Sequence, residues 1–307
     1  MITPSNITAR AIEWPTIALI ALGYGGWFAA GLWIYPANAV LALALMAIFN
    51  SLHSSLVHEV IHGHPTRNCT VNTALVIINP GLIWPFYRYR RMHLRHHADE
   101  RLTDPFDDPE SYYRALYVYE AFPPWAKWGL ALSNTLIGRI LLGPALSTIA
   151  LLLEDTRAAL RGDREVILAW IIHLMAATPI VFCVVLIFQI PLWLYITTAC
   201  YGGAAIISLR TFAEHQWHET PEGRTIIVER SPLSILFLNN NLHLVHHKNP
   251  TAAWYELPRL YRAKPAYWYR LNNGYVYPNY WKLFRSYALI AKEPVAHPAW
   301  HRSKETE

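Results

Sequence analysis

The sequence predicts an all-α integral membrane protein. Four transmembrane helices form two hairpins, and a cytoplasmic helical cap holds a polyhistidine di-metal site. Three observations predict this. The 307-residue chain is 53% hydrophobic and only 15% charged, against about 25% charged in soluble proteins. Its long uncharged runs come as two back-to-back pairs. Its histidines cluster where those runs end or in the polar segments between them.

The spans come first. Residues 15–35 are apolar and uncharged, and 37–57 follow after a short turn through Pro36. Residues 166–188 and 191–209 form the second pair, joined through Gln189 and Ile190. Each run approaches the roughly 20 residues needed to cross a bilayer. The 13 tryptophans and 18 tyrosines suit aromatic belts at two interfaces. Two other stretches are less regular. Ala74 to Tyr87 is too short to span and holds Asn79, Pro80 and Gly81, so it reads as a re-entrant or interfacial segment. Leu130 to Leu153 is interrupted by Asn134, Arg139, Gly143 and Pro144 and reads as an amphipathic helix lying on the membrane; a fifth span is the alternative. A single domain over residues 1–307 is expected.

Basic residues set the orientation. Every Lys and Arg except Arg10 follows residue 58, and none lies in the two later spans or in the turns near Pro36 and Gln189. Residues 58–165 and 210–307 should therefore form the cytoplasmic cap, with both termini on that side. The net charge of +5 then signals orientation and attraction to anionic headgroups. A nucleic-acid partner has little support, because the basic residues accompany membrane spans. Cys69, Cys183 and Cys200 form no CxxC pair and suit free thiols in a reducing compartment. The first apolar run lacks a basic n-region and continues almost directly into the second, so no cleavable signal is expected.

The chemistry lies in three boxes. They are His58-Glu59-Val60-Ile61-His62, His93-Leu94-Arg95-His96-His97 and His243-Leu244-Val245-His246-His247. Residues i, i+3 and i+4 share a helix face, so each HxxHH is expected to aim three imidazoles at one point. His215, in Ala213-Glu214-His215-Gln216, adds a further candidate. Imidazole suits iron, copper, zinc and nickel. Nine histidines exceed one tetrahedral zinc and suit two metal ions with open positions; iron is the expected metal.

This pattern resembles the membrane fatty acid desaturase superfamily, which includes acyl desaturases and related hydroxylases and ketolases. The resemblance runs from about residue 15 to about residue 265 and is specific for the metal centre. Its signature is an HxxxH or HxxxxH box, two HxxHH boxes and one more histidine upstream of the last, here His215 in Arg210-Thr211-Phe212-Ala213-Glu214-His215. The resemblance implies two iron ions, dioxygen as co-substrate and oxidation of an unactivated C–H bond. The nine expected ligands are His58, His62, His93, His96, His97, His215, His243, His246 and His247. Ligating imidazoles commonly donate their other N–H to a carboxylate or carbonyl. Glu59, Glu214, Asn240 and His218 are the leading supporting residues, and Asp99, Asp104, Asp107, Asp108, Glu219, Asn239 and Asn241 are also near enough. His218, three residues after His215, competes as a ligand. His64 precedes Pro65 and should have left the helix; His53 and His173 lie inside spans; His297 and His301 sit in a polar tail and should be solvated.

The residues carry no HPGG haem motif, four-cysteine cluster pattern or dinucleotide fingerprint. Electrons should come from a separate ferredoxin, rubredoxin or cytochrome b5 with its reductase. The leading expectation is a desaturase acting on a fatty acyl or lipid alkyl chain. Hydroxylation or ketolation of a lipid, carotenoid or small alkyl compound uses the same ligands. A non-catalytic metal-binding membrane protein or transporter is the reading from another class, and histidines outside the spans count against it.

Overall fold

A computed structural model describes residues 12–98 and 101–299. It is mostly helical, and five described helices are long and apolar enough to cross a membrane. These are α1 (Trp14–Ile34), α2 (Ala39–Ile61), α7 (Leu136–Leu160), α8 (Arg164–Ile187) and α9 (Leu192–Glu214). Shorter helices complete the chain: α3 (Cys69–Val76), α4 (Phe86–Ala98), α5 (Leu116–Glu120), α6 (Pro124–Ser133), α10 (His243–Lys248), α11 (Leu257–Ala263), α12 (Pro265–Leu271) and α13 (Tyr280–Tyr287). One departure from all-α is a two-residue parallel pairing of β1 (Ile227–Val228) with β2 (Val276–Tyr277).

Local chemistry sets the helix starts. Asn38 accepts from the Leu41 N–H and opens α2, and the Asp163 carboxylate accepts from Glu165 and Val166 and opens α8. Thr135 caps α7 in the same way through Gly138. α1 and α2 turn back through Pro36, where Ala37 and Asn38 both donate to the Ile34 carbonyl. α8 and α9 turn back at Gln189, which takes a left-handed backbone (φ 57°). The two turns meet in an apolar cluster of Trp27, Met46, Val184, Phe188 and Tyr195. Phe188 packs so closely on Gly31 that a Cβ there would sit 2.4 Å from its ring.

Two helices continue past their uncharged runs. α2 continues to Ile61 and α9 to Glu214. The apolar spans thus carry straight into the histidine boxes, because residues 58–61 and 210–214 keep helical spacing although they are no longer purely apolar.

α7 is the segment expected to lie on the membrane rather than cross it. It runs unbroken through Pro144. Leu136 packs on Phe212 and Ala213 at the end of α9. At the other end Asp155 accepts from Trp170 of α8 at 2.9 Å and pairs with Arg88 of α4 at 2.6 Å. Both ends of α7 therefore sit toward the end of the bundle that carries the histidines.

Residues 77–85 pass without helix between the spans. Backbone polar groups at such depth must be satisfied by protein. Tyr24 donates to the Ile78 carbonyl (2.7 Å), Tyr195 to that of Pro80 (2.7 Å), and His173 Nε2 lies 2.9 Å from that of Leu82. The two intramembrane histidines are thereby accounted for, since His53 pairs with the same Tyr24 hydroxyl at 3.0 Å. The Tyr195 hydroxyl also accepts from Trp27 (2.8 Å) and Asn50 (3.3 Å). Tyr195→Phe should cost about 1–2 kcal/mol by orphaning these partners. Thermal unfolding in detergent measures it; an unchanged midpoint would show the hub to be dispensable.

Candidate metal centre

The end of one long helix, two short helices and one extended residue build the site. His58 sits in the last turns of α2 and His62 is its C-terminal cap. His93, His96 and His97 lie on α4. His243, His246 and His247 fill α10, which is only six residues long. Leu238 and Asn239 turn the chain into it with left-handed backbones (φ 49° and 54°). Asn tolerates that conformation, and the Asn239 side chain donates to the Trp254 carbonyl. His215 follows α9 in extended conformation (φ −130°, ψ 150°).

The nine histidines form two adjacent groups. One contains His58, His62, His93, His97 and His246, and the other His96, His215, His243 and His247. Within each group the candidate ligand atoms lie within 4.8 Å of one another. The groups touch where the His97 and His247 rings stack at 4.1 Å. The expectation that each HxxHH aims at one point is corrected here. His93 and His97 join the first group while His96 joins the second, and in the last box His243 and His247 join the second while His246 joins the first. Each box packs between the two groups, so its i+3 ring faces one and its i, i+4 pair the other.

The residues fit metal. Nε2 of His58, His96 and His246 and both ring nitrogens of His97 are buried without a hydrogen-bond partner. Such orphans are costly unless something else occupies the lone pair. Nitrogen pairs approach closely: His62–His93 at 3.0 Å, His215–His243 at 3.0 Å and His243–His247 at 3.1 Å. Two imidazoles ~2.1 Å from one ion and at right angles would be ~3.0 Å apart, whereas tetrahedral ligands would be ~3.4 Å apart. Both spacings are close enough for the paired rings to share one ion.

Electrostatics agree with that fit. Burial, together with the neighbouring imidazoles, holds His243, His246 and His247 well below the usual histidine range, and His215 falls to about 3. Neutral imidazole is the ligating form. His96 goes the other way, to about 9. Burial alone would lower it, but Glu110 and Asp108 outweigh burial.

The outer partners are specific. His93 Nδ1 lies 2.8 Å from Glu110, His96 Nδ1 2.8 Å from Asp108 and His243 Nδ1 2.9 Å from Asn240. Asn240 in turn donates to Glu214, which pairs with buried Arg210 at 2.9 Å. Glu110 was not anticipated: it sits beyond the acidic run Asp104 to Asp108, and a loop reach has no periodic signature. Asp104 instead accepts from the backbone of Phe106 and Asp107, and Asp107 pairs with Arg101. Asn241 donates to the Val228 carbonyl. Glu219 is exposed, and Asp99 lies outside the described residues.

Several expectations need correction. His218 is not in either group; α9 stops at Glu214, so helical spacing no longer applies, and His218 pairs with Thr220 and Asn273. Glu59 accepts from the Trp254 N–H and faces His64 at 3.8 Å rather than supporting a box histidine. Glu13, Glu59 and His64 form a third buried group. Its 2.6 Å Glu13–His64 contact is shorter than a ~3.0 Å ligand edge and marks an ion pair. His297 is buried beside Tyr113 and Trp217, not solvated, because its backbone pairs with Arg114. His301 lies outside the described residues.

The family profile for fatty acid desaturases matches residues 36–279. The chain belongs to the fatty acid desaturase family. No curated relative matches it significantly. Members of this family are oxidoreductases that depend on metal, and the two histidine groups of this desaturase-family chain provide groups able to hold it.

Two outcomes follow for the centre. Asp108→Asn or Glu110→Gln should weaken metal retention about 10–100-fold, read as metal per chain after chelator challenge; full retention would remove them from the site. Metal binding at pH 7.5 should also release about one proton per chain, because His96 holds a proton up to about pH 9 and a ligand must be deprotonated. Calorimetry in two buffers of different ionisation enthalpy reads it, and buffer-independent heats would contradict it.

Proposed function

We propose that this chain is a dioxygen-dependent di-iron desaturase that introduces a double bond into a fatty acyl or lipid alkyl chain. The observation carrying this reading is the division of nine buried or half-buried imidazoles into two touching groups, several of their ring nitrogens without a partner. Bound there, two iron ions supply dioxygen activation. The overall balance is CH2–CH2 + O2 + 2 electrons + 2 H+ → CH=CH + 2 H2O, with both electrons coming from a separate ferredoxin, rubredoxin or cytochrome b5 with its reductase.

The chain's own residues bind, orient and exclude. His58, His62, His93, His97 and His246 would hold one ion, and His96, His215, His243 and His247 the other. Glu110, Asp108 and Asn240 fix three of these rings through Nδ1, leaving Nε2 to the metal. Arg210 offsets the Glu214 carboxylate behind Asn240, so no unpaired charge is buried behind the site.

We place the whole chain as one domain with the site and termini on the cytoplasmic side, supported by the basic residues outside the helical hairpins. We also place α7 along the membrane surface. A 25-residue helix is ~37 Å long, so as a span it would end across the ~30 Å hydrocarbon layer. Its two ends instead approach α9 and α4 near the histidines.

Lipid profiling by mass spectrometry of a host making the chain, with a His246→Ala control, tests the reaction. A His246-dependent loss of two mass units in a lipid pool is expected. A gain of sixteen would replace desaturation by hydroxylation on the same site. Metal-loaded, reduced protein that consumes no oxygen with any lipid extract would contradict both.

A further inference from the structure

The family profile stops at residue 279, yet the described chain continues and returns to the metal centre. Residues 288–297 form a strap across the cap. The Lys292 N–H donates to the Asn134 carbonyl (2.9 Å), the Arg114 N–H to that of Val295 (2.9 Å) and the His297 N–H to that of Arg114 (2.8 Å). Glu293 accepts from the Tyr113 hydroxyl at 2.8 Å, and that hydroxyl accepts from the Trp217 N–H at 2.8 Å. The strap is thus tied to the loop after the second histidine box and to the turn between α6 and α7.

From this strap the Lys292 amine reaches the end of α9. It donates to the Phe212 carbonyl at 2.8 Å, the His215 carbonyl at 2.5 Å and the Tyr275 hydroxyl at 3.0 Å, with the Ala213 carbonyl at 3.5 Å. Carbonyls in the last turn of a helix lack intrahelical donors, and a lysine there satisfies them. The Tyr275 hydroxyl donates to the Ala213 carbonyl at 2.7 Å, and Tyr112 donates to the His215 carbonyl at 2.9 Å. A single carbonyl, that of His215, therefore receives two side-chain donors from outside its own segment.

His215 differs from the other eight, which lie in or cap a helix. It has left the helix, and an isolated bridge to Thr225 holds the other edge of its backbone. Its Nδ1 contact, with the Arg224 carbonyl, is 3.3 Å, longer than the 2.8–2.9 Å contacts of His93, His96 and His243. The ring is poorly fixed through Nδ1 and is fixed through its own carbonyl instead.

The geometry points to Lys292 as a positioning residue for the second histidine group. With Tyr112 it sets the place of His215, and so governs retention of metal by His96, His215, His243 and His247. This rests on reading those four residues as ligands. The ammonium form has the three N–H donors that the Phe212 and His215 carbonyls and the Tyr275 hydroxyl take up.

The test uses the full chain in detergent, loaded anaerobically with Fe2+, desalted and challenged with a chelator, with iron per chain followed over time. Wild type should hold about two ions. Lys292→Met should lose about one quickly and keep the other at the wild-type rate, matching His215→Ala. Lys292→Gln, which keeps N–H donors on a shorter arm, should restore part of the loss. If Lys292→Met does not fold by gel filtration, Tyr112→Phe decides: faster loss of one ion supports the assignment, and wild-type kinetics overturn it. Lys292→Met with both ions retained, or with both lost at one rate, also overturns it. A wild type that holds no iron, or a His215→Ala variant that holds both ions, would defeat the ligand reading itself and the Lys292 assignment with it.

Discussion

Packing nine buried or half-buried imidazoles side by side is the constraint on which the rest of the structure depends. Their rings stand 4.1–6.0 Å apart, and several ring nitrogens have no protein partner. In water each lone pair would be solvated; here burial removes that option. Protonating the cluster is no remedy, because neighbouring charges would repel. Metal coordination would satisfy the lone pairs and the electrostatics together, and the rings divide into groups of five and four.

The architecture serves that cluster. Two antiparallel helix pairs bring the ends of α2 and α9 to the same side. These helices carry His58 and, one residue past the end, His215, and α4 and α10 close over them. Carboxylate and amide partners set the rings: Glu110 and Asp108 come from one loop, and Asn240 comes from the turn before α10. Deeper in the bundle, Tyr24, Tyr195 and His173 pair with the carbonyls of Ile78, Pro80 and Leu82. The spans can then stay apolar outside while holding a non-helical segment within.

Much of this was legible in the sequence, because it is periodic or compositional. The four uncharged runs correspond to α1, α2, α8 and α9 within a few residues. The HxxxH and HxxHH spacings named the residues that meet. The Glu214–Asn240–His243 chain was partly visible, since these residues flank the boxes. What stayed hidden depends on loops and distant segments. Glu110 reaches His93 from an irregular loop. His218 sits away from both groups because the helix ends at Glu214 and the i+3 relation to His215 does not hold. The division of each HxxHH between two groups is a property of the assembled bundle rather than of any one helix. Lys292 lies 77 positions from His215, and spacing says nothing about contacts at that separation.

The nine histidines would make two separate metal positions, each shared by at least three chain segments. Anomalous-difference density from crystals of the iron-loaded protein, measured at the iron edge, tests it most directly. The account predicts two peaks, one among His58, His62, His93, His97 and His246 and one among His96, His215, His243 and His247. A single peak, or two peaks each confined to the three histidines of one HxxHH box, would contradict it.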